Sequence, residues 1–153
     1  MDKLALAVLA AAALAPAAGH AGQKPATGWT FENGPTEEIS CRLTAPGTAQ
    51  EGILRQALTV TYAEGYLTFA FRGARDAFLF FPGGSPAAIP GEPQAGEFVS
   101  LVSVGRELAV LKDIQGAKAL FTTTGAVYFV DMTPEGREAF RKMRQCVKGR
   151  IGA

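Results

Sequence analysis

Leu58-Thr59-Val60-Thr61-Tyr62-Ala63-Glu64-Gly65-Tyr66-Leu67-Thr68-Phe69-Ala70-Phe71 is the stretch that decides the fold class. Apolar and polar residues alternate on both sides of Glu64-Gly65, which is the period of a strand with one face buried. A two-residue turn at Glu64-Gly65 pairs Tyr62 with Leu67, Val60 with Phe69 and Leu58 with Phe71, and places all of them on one face. Thr59, Thr61, Ala63, Tyr66, Thr68 and Ala70 fall on the other. The reading is an antiparallel hairpin within Leu54–Arg72 that contributes one side of a core. Glutamate suits the positive φ of the first turn position poorly, so these residues specify the hairpin better than its turn type.

Outward from the hairpin, further strands are expected at Trp29–Glu32 and Glu37–Thr44, separated by a turn at Asn33-Gly34-Pro35. In the second of these Ile39, Cys41 and Leu43 share a face, and Ala45–Gly52 reads as a loop. Asp76–Phe81 is a strand whose Phe78-Leu79-Phe80-Phe81 is apolar on both faces. It is either a central strand buried on two sides or an aromatic patch shown to a partner. Pro82–Gly96 carries four prolines and four glycines and reads as a long loop, either functional or filler. Glu97–Val104 is a strand, and Arg106–Ile114 is a short helix or a strand. Ala119–Thr123 and Ala126–Met132 form a second hairpin around Thr124-Gly125.

The chain closes with a helix over about residues 134–148. Thr133 is placed to cap it, Pro134 suits its first position and Gly149 its end. Ala139, Phe140, Met143, Cys146 and Val147 make its apolar face. Gly136 weakens the first turn by roughly 1 kcal/mol relative to alanine.

Ahead of the strands, Met1-Asp2-Lys3 supplies one basic side chain, Leu4–Ala15 is an uncharged run of Leu, Ala and Val, and Pro16–Ala21 holds small residues in Ala-x-Ala-like positions. That is the pattern of a secretory signal peptide over residues 1–21, cut after Ala21 or after Ala18. The run is shorter than the ~20 apolar residues of a membrane span, and no later segment reaches that length. The expected product is one exported β-rich domain over residues 22–153, periplasmic or secreted. Cleavage after Ala21 removes His20, the only histidine. Cleavage after Ala18 leaves it in a loose terminus.

The two cysteines, Cys41 and Cys146, read as a disulfide in an exported chain. The whole sequence is nearly neutral, but charge is uneven. Residues 137–150 hold six basic side chains and one acid, whereas residues 22–136 hold eight basic and twelve acidic ones.

Catalytic options are thin. Serine and cysteine nucleophiles need a positioned imidazole, and zinc sites draw on His and Cys. No catalytic residue, metal ligand or cofactor is assigned. Ser85 sits in Gly83-Gly84-Ser85-Pro86, where Pro86 lacks the backbone N–H an oxyanion hole would use. A pair of carboxylates could hydrolyse a sugar bond, but no spacing pairs two of them. The candidate partner-binding residues are therefore Arg137, Arg141, Arg144 and Lys148, which form one basic stripe on the last helix, and Phe81, Ser85 and Ile89 in and beside the Pro/Gly segment. An ordinary solvated helix face is the competing account of the stripe. The partner would be a protein or an anionic envelope component. Nucleic acid fits poorly with the acidic body.

Gly28-Trp29 and Cys41-Arg42-Leu43, with the layout of leader, hairpins and a final stretch ending near Cys146, resemble the invasion-associated locus B family of small exported alphaproteobacterial proteins. The resemblance implies an envelope β-sandwich without known catalytic residues. Members commonly carry more than two cysteines, and this chain departs from that. The expectation is thus a mainly β (α+β) domain, an antiparallel sandwich or curved sheet closed by a C-terminal helix and one disulfide. Its expected function is non-catalytic binding in the cell envelope, inhibitor-like or accessory, and the alternative is a carboxylate-dependent hydrolase of envelope material.

Overall fold

The central hairpin forms as its alternation requires. In the computed structural model, which describes residues 27–50 and 52–151, β5 (Leu58–Ala63) pairs antiparallel with β6 (Tyr66–Arg72). The register is Leu58 to Phe71, Val60 to Phe69 and Tyr62 to Leu67. All six side chains are buried. Glu64 and Gly65 both take positive φ, at 52° and 84°, so the strand twist imposes a type I′ turn even on glutamate. The opposite face is not wholly solvated, because Thr59 is buried as well.

This pair is the middle of a six-stranded antiparallel sheet. β1 (Thr30–Asn33) and β2 (Ile39–Thr44) extend it on one side, β10 (Glu97–Leu101) and β9 (Glu92–Gln94) on the other, in the order β1-β2-β5-β6-β10-β9. A four-stranded antiparallel sheet has the order β12 (Phe129–Asp131), β11 (Ala119–Phe121), β7 (Phe78–Phe80), β8 (Ala87–Ala88). β3 (Thr48–Gln50) and β4 (Ile53–Arg55) form a separate two-stranded sheet among the described residues. Among the described residues, two helices complete the fold, α1 (Glu107–Gln115) and α2 (Pro134–Arg150). One core joins the large sheet through Leu43, Val60 and Phe69, the smaller sheet through Leu120 and Val130, and the helices through Leu111, Phe140 and Met143. The fold is mainly β, with antiparallel sheets, a C-terminal helix and one disulfide.

Helix α2 begins as expected. Thr133 is the N-cap, its hydroxyl accepts from the Gly136 amide at 3.2 Å, and Pro134 opens the first turn. The helix runs two residues beyond 148, to Arg150. Ala139, Phe140, Met143 and Val147 are buried, and Cys146 bonds to Cys41 with the Cα atoms 6.1 Å apart. The bridge ties α2 to β2, the strand that pairs with the central hairpin.

Three expectations are corrected. The loop expected over Ala45–Gly52 contains β3, whose partner β4 arises at its end. The Pro82–Gly96 segment is not wholly irregular, because β8 borrows the edge of β7 and β9 that of β10. Pro93 is tolerated because β9 is the outermost strand. β7 is interior to its sheet, yet Phe78, Leu79 and Phe80 are only half-buried. Leu79 stands opposite the buried Leu120, while Phe78 finds cover by stacking on Phe121 at 5.3 Å. The ambiguous 106–114 stretch is helical. The signal peptide expected over 1–21 lies outside the described residues, and no helix among the described residues is long and apolar enough to cross a membrane.

Gly136 has a packing role that helix propensity alone conceals. A Cβ built there would lie 2.7 Å from the Trp29 ring, and that ring meets Phe140 edge-on, with centroids 5.9 Å apart. Gly136→Ala therefore sets a propensity gain of about 1 kcal/mol against an overpacking cost of about 1–3 kcal/mol. We expect net destabilisation of about 1 kcal/mol, with loss of Trp29 fluorescence shielding. A variant more stable than the native protein in urea would show that the ring moves aside freely.

Candidate functional site

The basic stripe exists on α2, but much of it is engaged. Arg137 donates from Nη1 to the carbonyl of Gln115 at 2.6 Å and to that of Ala117 at 3.3 Å. It thereby satisfies carbonyls at the end of α1, where the helix dipole favours a cation. The Arg141 Nε donates to Glu138 Oε1 at 2.9 Å. That hydrogen bond, and then the positive charges of Arg141 and Lys142, hold the Glu138 carboxyl below its usual value. Arg144 is half-buried and Lys148 is exposed. Near the Pro/Gly segment, Phe81 is half-buried and Ser85 exposed, while Ile89 turns inward and is buried. Ile89 forms a wall of an apolar recess of about 340 Å³ that also touches Phe69, Val102 and Ile114.

A larger concavity lies elsewhere. It is a cleft of about 740 Å³ walled by Ile53, Leu54 and Arg55 of β4, by Arg72 at the end of β6, and by Val127 and Tyr128 ahead of β12. Ile53, Leu54 and Val127 are 53%, 40% and 55% exposed, large enough fractions to leave apolar surface in water. Tyr128 is buried. Burial pushes its hydroxyl above the ordinary tyrosine value, and Arg55 and Arg72 both pull it back. Arg55, Arg72 and Tyr128 line the same cleft. Glu97 stands opposite Arg72 in the β6–β10 ladder. Among the described residues, no Asp or Glu lines the cleft.

The wall on the Val127 side is fixed by a polar lock. Thr122 donates its hydroxyl to the Ala126 carbonyl at 2.8 Å and accepts from the Tyr128 amide at 2.7 Å. Asp76 accepts from the Thr123 amide at 2.7 Å, the Thr124 amide at 3.2 Å and the Thr123 hydroxyl. Desolvation pushes the Asp76 carboxyl up, but these hydrogen bonds, the Thr123 hydroxyl foremost, together hold it below its usual value. The unfolded chain then binds more protons between the folded and unfolded pKa values, so stability rises with pH across that window. The contribution is complete above an unfolded pKa of about 3.9 and is lost as pH falls through the folded one. Asp76→Asn should flatten the acid limb of a melting-temperature profile. Parallel limbs for native and variant would refute the lock.

The sequence pointed to the stripe and missed the cleft, whose walls come from four separated segments. Its one local signal is Ile53-Leu54-Arg55, two aliphatics and a cation directly after a glycine, upstream of the alternation that begins at Leu58. Among the described residues no group of three or more His, Cys, Asp or Glu is placed to hold a metal ion. No family model, curated protein or solved structure matches the chain.

Proposed function

We propose that this chain is an exported, non-catalytic binding module of the cell envelope, and that its partner engages the cleft between β4 and the Val127–Tyr128 segment. The observation that carries this reading is the make-up of the cleft, in which two arginines and a tyrosine lie among water-exposed aliphatics. Concave sites that combine apolar walls with a few convergent polar groups are the usual form of a ligand site. A glycosidase-type mechanism would need two carboxylates about 5–10 Å apart across a substrate groove. Here Asp76 holds a loop, Glu32 pairs with Arg42 at 2.8 Å, and Glu107 accepts from the Gly105 amide at 2.9 Å. The disulfide fits an oxidising compartment.

The basic stripe is the weaker docking surface on this reading, because Arg137 serves α1 and Arg141 serves Glu138. Site-specific photo-crosslinking separates the two surfaces. A photoreactive residue at Val127 is expected to capture a partner in cells, and one at Lys148 is not. Capture from Lys148 alone would move the function to the stripe.

A further inference from the structure

The proposed binding reading leaves the ligand open, and the chemistry of the cleft narrows it. Arg55 and Arg72 bring positive charge to Tyr128. Around them Ile53, Leu54 and Val127 present apolar surface to solvent, and Phe129, two residues further along, is 59% exposed. Every residue of β4 is exposed, and its hairpin joins neither larger sheet. A small soluble anion would satisfy the guanidiniums and leave the aliphatics wet. A purely apolar ligand would do the reverse and strip water from the cations. A ligand with an anionic head and an apolar body satisfies both.

We infer that the cleft is a docking site for anionic phospholipid at a bilayer surface, with Arg55 and Arg72 at the headgroup phosphate and Ile53, Leu54 and Val127 at the acyl boundary. This inference rests on the cleft being the binding surface. Glu97 faces Arg72, so Arg55 is the cation to remove first.

The test is flotation of the disulfide-intact protein with vesicles of phosphatidylcholine, alone or mixed with phosphatidylglycerol. Binding is expected only with the anionic lipid, and it should weaken with salt. Arg55→Ser should weaken it about fivefold, given roughly 1 kcal/mol per basic residue near a charged surface. Ile53→Ser with Leu54→Ser should weaken it about tenfold or more through lost apolar contact. These side chains are exposed, so melting temperatures should stay close to the native value, which separates lost docking from lost folding. Arg144→Ser with Lys148→Ser should bind vesicles as the native protein does.

Two vesicle results would overturn the lipid assignment. One is vesicle binding that ignores the cleft variants and falls with the Arg144 and Lys148 pair. The other is no vesicle binding while inorganic phosphate or glycerol phosphate protects the cleft, which would assign it to a free anion. A protein adduct from Val127 without vesicle binding would also remove the lipid but leave the binding-module reading standing. Adducts from Lys148 alone would remove both.

Discussion

Replacing Cys41 and Cys146 together by alanine is expected to destabilise the domain by about 4–5 kcal/mol, the largest effect of any change considered. The cysteines are 105 residues apart, and closing a loop of about a hundred residues removes that much chain entropy from the unfolded state. A domain of this size has a total stability of about 5–15 kcal/mol, so the variant should sit close to its unfolding midpoint in mild denaturant. Cys41 has no solvent exposure, and alanine leaves only a small void there. Urea unfolding of the double variant against the native protein measures the loss. The midpoint should fall sharply, and the slope should rise because the unbridged chain exposes more surface when unfolded. A loss below about 1 kcal/mol would mean that α2 is held by its apolar face alone, and that the bridge adds little to unfolded-state restraint.

Phe140→Ala should follow closely, at about 3–5 kcal/mol for a buried phenylalanine truncated in a packed core. Phe140 has no exposure and sits where α2 meets both the core and the Trp29 ring, at an interplanar angle of 63°. Trp29→Ala alone should cost less, because Trp29 is only half-buried. The pair should be coupled by about 0.5–1.5 kcal/mol, the range for edge-to-face aromatic contacts, when a double-mutant cycle is run in urea. Additive losses would show that Trp29 and Phe140 share burial without a specific ring contact.

How much of the fold the sequence carried depends on how local the determining contacts are. The β5–β6 register could be read residue by residue, since a two-residue turn and a period of two leave one arrangement that buries Leu58, Val60, Tyr62, Leu67, Phe69 and Phe71 together. The start of α2 was equally legible, because Thr133 and Pro134 act within one helical turn. β8 and β9 were not. Neither Ala87-Ala88 nor Glu92-Pro93-Gln94 has a strand preference of its own, and both form by borrowing the edge of a neighbour. The role of Gly136 was hidden for the same reason, since the ring it seats comes from residue 29.

The candidate site was less legible than the fold. The stripe of Arg137, Arg141, Arg144 and Lys148 is visible in helical spacing, but spacing cannot show that Arg137 reaches the carbonyls of Gln115 and Ala117. The cleft depends on Arg55, Arg72 and Tyr128 lining one concavity from separate parts of the chain, and neither composition nor periodicity signals that convergence.

The reading of an exported domain closed by one disulfide is tested most directly by intact mass. The protein would be taken from the periplasm of a Gram-negative host expressing the full chain and weighed with and without thiol alkylation. The expected mass begins at Gly22 or Gly19 and does not change on alkylation until the protein is reduced. A full-length mass with two alkylatable thiols would contradict export and the bridge together, and would return His20 to the chain.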